Sequence, residues 1–141
     1  MNITQQWNQE DSDYIKKKVI AYNEAQLPVE LKHTIKNISF IVRNDASEIV
    51  GGIVSHIHWR DLHVDFLWVD ESLKGQGYGR VLLENVEKVA IENNCRLITL
   101  DTFSFQAPEF YKKYGYQIFG VIKKHPVEDI NHYFFEKRLT I

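Results

Sequence analysis

The chain has 141 residues, 44% of them hydrophobic and 26% charged, a composition typical of one soluble domain that spans residues 1–141. Its 17 basic and 19 acidic residues give a formal net charge of -2, which excludes the basic surface that attracts nucleic acid. No apolar run reaches the roughly 20 residues of a membrane span, and the single cysteine gives no disulfide pattern, so we expect a cytoplasmic protein that binds neither membrane nor nucleic acid.

The first half of the chain predicts one helix and an antiparallel meander. Apolar residues at helical spacing indicate an amphipathic helix over residues 11–26, capped by Asp11 or Ser12, with a short helical piece over 28–34. Alternating apolar residues then indicate three strands joined by tight turns, the second of which lies near Arg60-Asp61. These strands run from Ile38 to Val42, from Ile49 to His58 and from His63 to Val69.

The second half predicts two helices and three strands. Helical spacing returns after Gly79 and ends near Asn93-Asn94, and a second helix begins at Pro108 and ends at Tyr114 before Gly115. The strands span residues 96–101, 117–124 and 132–139. This order of elements predicts an α/β (α+β) fold in which helices cover both faces of a mixed, mostly antiparallel sheet.

A glycine-rich loop joins the third strand to the following helix, where residues 74–79 read Lys-Gly-Gln-Gly-Tyr-Gly. Backbone N–H groups at a helix start lack intrahelical partners, and the helix dipole adds partial positive charge, so a pyrophosphate fits there. A Walker loop does not match because no Gly-Lys pair follows, and the last glycine of a dinucleotide fingerprint would fall on Arg80 or Leu82. A strained turn without a ligand is the alternative interpretation.

This loop and the segment from Ser104 to Tyr116 resemble two motifs of the GNAT family of N-acetyltransferases. The family loop reads Arg/Gln-x-x-Gly-x-Gly/Ala, and Lys74 occupies its first position here. The second motif reads Asn-x-x-Ala-x-x-aliphatic/aromatic-Tyr-x-x-x-Gly-aromatic, with Ser104 in place of the asparagine. The resemblance implies a GNAT-like fold, acetyl-CoA as co-substrate and an amine as acceptor. It also implies that the following residues contact CoA: Leu67, Trp68, Val69, Lys74, Gly75, Gln76, Gly77, Tyr78, Gly79, Arg80, Ser104 and Gln106.

The same resemblance places Tyr111 at the position of the family's general acid. There a phenol on the helix that begins at Pro108 protonates the departing thiolate. An unperturbed tyrosine is protonated at neutral pH, as an acid must be. The alternative is a structural tyrosine whose ring packs beside Phe110.

The second and third strands carry the candidates for the general base. A turn near Arg60-Asp61 would pair His58 with His63 and His56 with Asp65, all on one polar face. The opposite, apolar face would carry Ile53, Ile57, Val64, Phe66 and Trp68. His63 lies where some relatives carry a glutamate base, so we assign it that role, with Asp65 orienting it or acting through water. The four polar residues could also be a plain polar surface or a zinc site, but acetyl transfer requires no metal and we expect none.

The sequence therefore favours an N-acetyltransferase, a monomer or homodimer, in which an amine attacks the thioester directly. A small molecule or a peptide would supply this amine, and Glu128 and Asp129 in the last hairpin could attract its charge. Cys95 has no histidine beside it in the sequence, so we interpret it as structural rather than as an acyl carrier. The rival functions are a non-catalytic acyl-CoA-binding module and a dinucleotide-dependent oxidoreductase.

Overall fold

The computed structural model describes residues 1–31 and 34–139 of the chain. They belong to two compact units, Met1–Thr34 and Ile35–Ile141. The first unit contains helix α1 (Gln9–Gln26), and all the strands and remaining helices of the described chain lie in the second. None of the described helices is long and apolar enough to cross a lipid bilayer.

Helix α1 begins two residues earlier than the sequence predicts. The side chain of Asn8 accepts the backbone N–H of Asp11 at 3.0 Å, because a short side-chain amide satisfies a free donor of the first turn well. The predicted caps, Asp11 and Ser12, are therefore wrong. After the helix, the bond from the Leu31 N–H to the Pro28 carbonyl, 2.9 Å long, closes a turn. This turn replaces the start of the helical piece predicted over 28–34, of which residues 32 and 33 lie outside the described residues.

The second unit is built on one mixed sheet of six strands. These are β1 (Lys36–Arg43), β2 (Ile49–His58), β3 (Asp61–Val69), β4 (Leu97–Phe103), β5 (Gln117–Ile122) and β6 (His132–Arg138). Their order across the sheet is β1-β2-β3-β4-β6-β5, with β3 and β4 parallel and the other neighbours antiparallel. The helices are α2 (Tyr78–Glu92) and α3 (Pro108–Lys113). The predicted class, an α/β (α+β) fold with a mixed, mostly antiparallel sheet, is confirmed.

The hydrophobic core lies between one face of this sheet and the helices α2 and α3. The helical spacing that predicts α2 places Leu82 and Val86 on its inner side, and both are buried. The other buried apolar residues are Ile53, Leu62, Val64, Leu83, Ala90, Cys95, Ile98, Leu100, Tyr116 and Phe135. Burial raises the pKa of the Cys95 thiol, which disfavours the reactive thiolate and agrees with the structural role predicted for this residue.

The hairpin that joins β2 to β3 has a different register from the predicted one. His56 lies opposite His63, and His58 lies opposite Asp61. The two turn residues are Trp59 and Arg60, with φ of 50° and 64°, and two successive positive φ values are typical of the tight turns that suit hairpins. The prediction that pairs His58 with His63 and His56 with Asp65 is therefore wrong, because it places the turn one residue too late.

A β-bulge at Asp65 reverses the alternation along the rest of β3. Ser55 lies opposite Val64, but the preceding residue Val54 lies opposite Phe66, so Asp65 is the extra residue. Phe66 and Trp68 consequently lie on the face away from the core, where they are 72% and 52% exposed. Their predicted place on the apolar face is wrong, since a one-residue slip moves every later side chain to the other face.

Candidate active site

The parallel strands β3 and β4 separate and leave a cleft in the sheet. They pair only from Asp61 opposite Leu97 to His63 opposite Thr99, so beyond His63 the backbone groups of β3 that face β4 have no partner there. The cleft has a volume of about 230 Å³. Its described lining consists of Val64, Asp65, Phe66, Leu67, Trp68, Leu100, Asp101, Thr102, Gln106 and Tyr111.

The glycine loop follows β3 and ends at the first turn of α2. Gly75 and Gly77 have φ of 80° and 85°, values in the left-handed region that glycine adopts without a steric penalty. Gly77 caps α2, and its carbonyl accepts the first bond of the helix from the Val81 N–H at 3.1 Å. The N–H groups of residues 78–80 therefore have no intrahelical acceptor, and together they form a site suited to an anion.

Gly79 has a different role from the other two glycines. A Cβ atom added at this position would lie 3.1 Å from Cζ of Phe110, a distance that real Cβ atoms rarely show. Gly79 thus permits the close contact between α2 and α3, and its φ is not positive. A glycine is thus required at position 79 for packing, and at positions 75 and 77 for the backbone conformation.

The charged residues of the loop form exposed ion pairs. Lys74 Nζ lies 2.8 Å from Glu71 Oε2, and Arg80 Nε lies 3.8 Å from Glu84 Oε1. Pairs of this kind stabilise a protein little, because water competes for both partners. Both cations are consequently available to a phosphate that approaches the loop.

Tyr111 lies on α3 and contributes to the wall of the cleft. Its ring packs edge-on against Phe110 and Tyr116, with centroid distances of 5.2 and 6.0 Å. Burial raises the pKa of the Tyr111 hydroxyl to about 12, so the phenol carries its proton at neutral pH. No hydrogen bond to this hydroxyl is found within the described residues, whereas the Tyr116 hydroxyl donates to Glu87 at 3.0 Å.

Ser104 and Gln106, two of the residues predicted to contact CoA, differ in their surroundings. The Ser104 hydroxyl oxygen accepts the Asn131 N–H at 3.1 Å, which ties the end of β4 to the start of β6. Gln106 lines the cleft, and its carbonyl oxygen accepts the Phe103 N–H at 3.0 Å. Gln106 therefore borders the cleft, whereas the Ser104 hydroxyl makes a structural hydrogen bond.

His63 stands where β3 and β4 begin to separate, and a chain of hydrogen bonds determines its tautomer. The Thr99 hydroxyl donates to Asp61, whose two carboxylate oxygens lie 3.0 Å away. Because its only proton is directed at Asp61, the Thr99 oxygen accepts a hydrogen bond from the Nδ1–H of His63 at 2.8 Å. A neutral imidazole carries one ring proton, so Nε2 keeps a free electron pair. Burial is the largest influence on the Asp61 carboxyl and raises its pKa, although the bond from Thr99 acts in the opposite direction.

Asp101 and Asp65 complete the polar side of the cleft. Nε2 of His63 lies 3.6 Å from Asp101 Oδ1, and the other Asp101 oxygen bonds His132 Nε2 at 2.7 Å. Asp65 bonds His56 Nδ1 at 2.8 Å. The predicted partnership of Asp65 with His63 is thus replaced in the structure by contacts of His63 to Thr99 and Asp101.

Sequence reasoning did not find Asp61, Thr99, Asp101 or His132. Alternation within the fourth predicted strand, residues 96–101, is a usable signal, since it puts Thr99 and Asp101 on one face. The hypothetical zinc site of His56, His58, His63 and Asp65 is not assembled: no group of three or more His, Cys, Asp or Glu side chains in the described ranges is close enough to hold a metal ion.

Comparison with known proteins identifies the class to which this fold and cleft belong. The model of the acetyltransferase (GNAT) family matches residues 4–116, and the chain belongs to this family. A crystal structure of an acetyltransferase from Bacillus cereus is 46% identical, with a TM-score of 0.91 over 98% of each chain. Acetyltransferase Atu2258 of Agrobacterium fabrum is 31% identical over 75% of each chain. Blasticidin-S acetyltransferase of Streptomyces morookaense is 38% identical over 62% of this chain and 65% of its own length.

Proposed function

We propose that the chain is an N-acetyltransferase that transfers the acetyl group of acetyl-CoA to a primary amine of a small molecule. The cleft between β3 and β4 carries this proposal, because the strand that lines it leads directly into the glycine loop. A ligand that carries a pyrophosphate for the glycine loop at one end and a thioester for the cleft at the other fits this arrangement. Family membership supports acetyl transfer, and the relative named for blasticidin-S supports a small-molecule acceptor.

The chain offers CoA a separate contact for each of its parts. The pyrophosphate accepts hydrogen bonds from the backbone N–H groups of residues 78–80, with Lys74 and Gln76 on the preceding loop. The pantetheine arm extends along Leu67, Trp68 and Val69, where β3 has no partner strand on the β4 side. Gln106 borders the same cleft from the β4 side.

The proposed reaction uses one proton acceptor and one proton donor of the chain. The bound ammonium first loses one proton to solvent, and the neutral amine nitrogen then attacks the thioester carbonyl carbon, so that a C–N bond forms and the C–S bond breaks. His63 Nε2 accepts the proton that the amine loses, and Tyr111 donates its phenolic proton to the departing thiolate. One group gains a proton and the other loses one, and exchange with water restores both after the amide and CoA leave.

Acetyl-CoA and CoA are expected to raise the melting temperature, whereas NAD and ATP at the same concentration are not. A ligand at about 100 times its Kd adds about 2.7 kcal/mol to the free energy of unfolding, which is a shift of several degrees for a chain of this size. Differential scanning fluorimetry measures the shift, and release of free thiol from acetyl-CoA with a panel of amines measures turnover. No shift with any acyl-CoA at millimolar concentration would remove the proposed binding site, and a shift without thiol release would indicate a non-catalytic binding module.

The Thr99→Val variant is expected to lower kcat/KM by about 10-fold, by analogy with the loss of a partner that orients a metal-bound histidine. Valine keeps the shape of threonine but accepts no hydrogen bond from the Nδ1–H of His63. The tautomer that leaves the electron pair of Nε2 free is then no longer favoured. Thr99→Ser retains the hydroxyl and is the matched control. Steady-state rates over a range of pH and the ¹⁵N spectrum of His63 report the effect. A wild-type rate and an unchanged tautomer in Thr99→Val would contradict the assignment.

A further inference from the structure

We propose that Asp101 anchors the ammonium group of the acceptor, and that the acceptor class is primary amines without a carboxylate beside the amine. This inference rests on the N-acetyltransferase function proposed above. Asp101 was not a candidate at the sequence level, where Glu128 and Asp129 of the last hairpin were the carboxylates suggested for this role.

The distance between His63 and Asp101 indicates what fits between them. His63 Nε2 and Asp101 Oδ1 are 3.6 Å apart, beyond normal hydrogen-bond length. When His63 is neutral and its Nδ1–H donates to Thr99, both facing atoms are acceptors. Two acceptors that face each other are satisfied by one ligand atom that carries at least two protons. A primary ammonium has three N–H donors, while a hydroxyl group has only one, so this pair of atoms selects an amine over an alcohol.

Asp101 is held in the orientation that this role requires. His132, whose side chain is only 14% exposed, bonds Asp101 Oδ2 at 2.7 Å and leaves Oδ1 directed at His63. The His132 ring stacks on Phe103 with a centroid distance of 4.3 Å and contacts Phe134 at 4.4 Å. Aromatic packing limits the motion of the histidine, so the carboxylate meets the ligand with little reorganisation.

The charge of the cleft favours a cation. Among the ten described lining residues, Asp65 and Asp101 are acidic and none is lysine or arginine. A carboxylate beside the acceptor amine would therefore face two carboxylates of the protein, and no lysine or arginine among these lining residues would offset its charge. Like charges at such a distance repel, and this repulsion disfavours free α-amino acids as acceptors. The exposed rings of Phe66 and Trp68 at the same cleft offer apolar surface to the remainder of the molecule.

The test uses Asp101→Asn in the full chain with a panel of primary amines. The panel includes 2-phenylethylamine and phenylalanine, a matched pair that differs only by the carboxylate. We expect amines without a carboxylate to be acetylated at least 10-fold faster than their amino-acid counterparts. For the fastest amine, Asp101→Asn should raise KM by about 10-fold or more, the order expected for loss of a charge-assisted hydrogen bond, while the KM for acetyl-CoA stays unchanged.

Two control variants separate this effect from a general change of charge. Asp45→Asn removes the same charge from an exposed turn between β1 and β2 and should leave both KM values unchanged. Asp129→Asn tests the rival carboxylate of the last hairpin. The inference is overturned if Asp101→Asn leaves the amine KM unchanged, if it raises the acetyl-CoA KM equally, or if Asp129→Asn has the larger effect. Failure of the entire panel to release thiol would instead overturn the proposed function, together with the role of Asp101 within it.

Discussion

The Gly77→Val variant is expected to lose CoA binding while the protein remains folded. Gly77 has a φ of 85° and caps α2 beside the N–H groups that we assign to the pyrophosphate. A β-branched residue strains this backbone by roughly 1–3 kcal/mol and places methyl groups where a phosphate must approach. A Cβ at this position would have only the Arg80 Nη2 atom nearby, at 3.8 Å, so the free protein has room for it. Isothermal titration with CoA should show affinity reduced by at least about 100-fold, the equivalent of about 2.8 kcal/mol.

A glycine outside the loop provides the control for this experiment. Gly115, which follows α3, has a φ of 92°, so Gly77→Ala and Gly115→Ala impose a similar backbone penalty at two different places. Only Gly77→Ala should weaken CoA binding. Gly79→Val is a less informative variant, because a Cβ atom at position 79 would press on Phe110 and disturb the packing of α3. Undiminished affinity in a folded Gly77→Val protein would show that the phosphates bind elsewhere.

The sequence predicts the elements of this fold well because each depends on a local periodic pattern. The spacing of Leu82 and Val86 gives α2, and Pro108 with Gly115 delimits α3. Where the predicted strand register fails, the cause is a backbone conformation that the residue type does not indicate. Trp59 and Arg60 adopt positive φ without being glycine or asparagine, and the resulting turn shifts the register of every residue between His56 and His63.

The same distinction applies to the candidate site: residues in contiguous motifs are predictable from the sequence, and contacts between distant residues are not. The glycine loop and Tyr111 belong to contiguous motifs, so their positions follow from local sequence. The bulge at Asp65 carries no glycine or proline that would indicate it, and it moves Phe66 and Trp68 to the opposite face. The Asp101–His132 pair joins residues 31 positions apart through the adjacency of β4 and β6. Such a contact depends on the strand order, which a local pattern cannot specify.

The Tyr111→Phe variant is expected to lower turnover by about 100-fold or more, which is the usual contribution of a positioned general acid. Phenylalanine keeps the ring that packs against Phe110 and Tyr116, and the Tyr111 hydroxyl has no hydrogen-bond partner among the described residues. The free energy of unfolding and the affinity for CoA should therefore remain within about 1 kcal/mol of the wild-type values. Thiol release under conditions in which chemistry limits the rate measures the effect.

The control and the pH dependence make the assignment of Tyr111 specific. Tyr114→Phe removes a hydroxyl from the residue that ends the same helix, outside the cleft lining, and should leave turnover unchanged. Burial raises the pKa of Tyr111 to about 12, and an acid acts only while protonated. The wild-type rate should therefore persist through about pH 10, where an unperturbed tyrosine would already be half ionised, and fall only as the pH approaches 12. Wild-type turnover in Tyr111→Phe, or a loss of rate centred near pH 10, would contradict the assignment of Tyr111 as the acid. The ring would then have a packing role only, and water would protonate the thiolate.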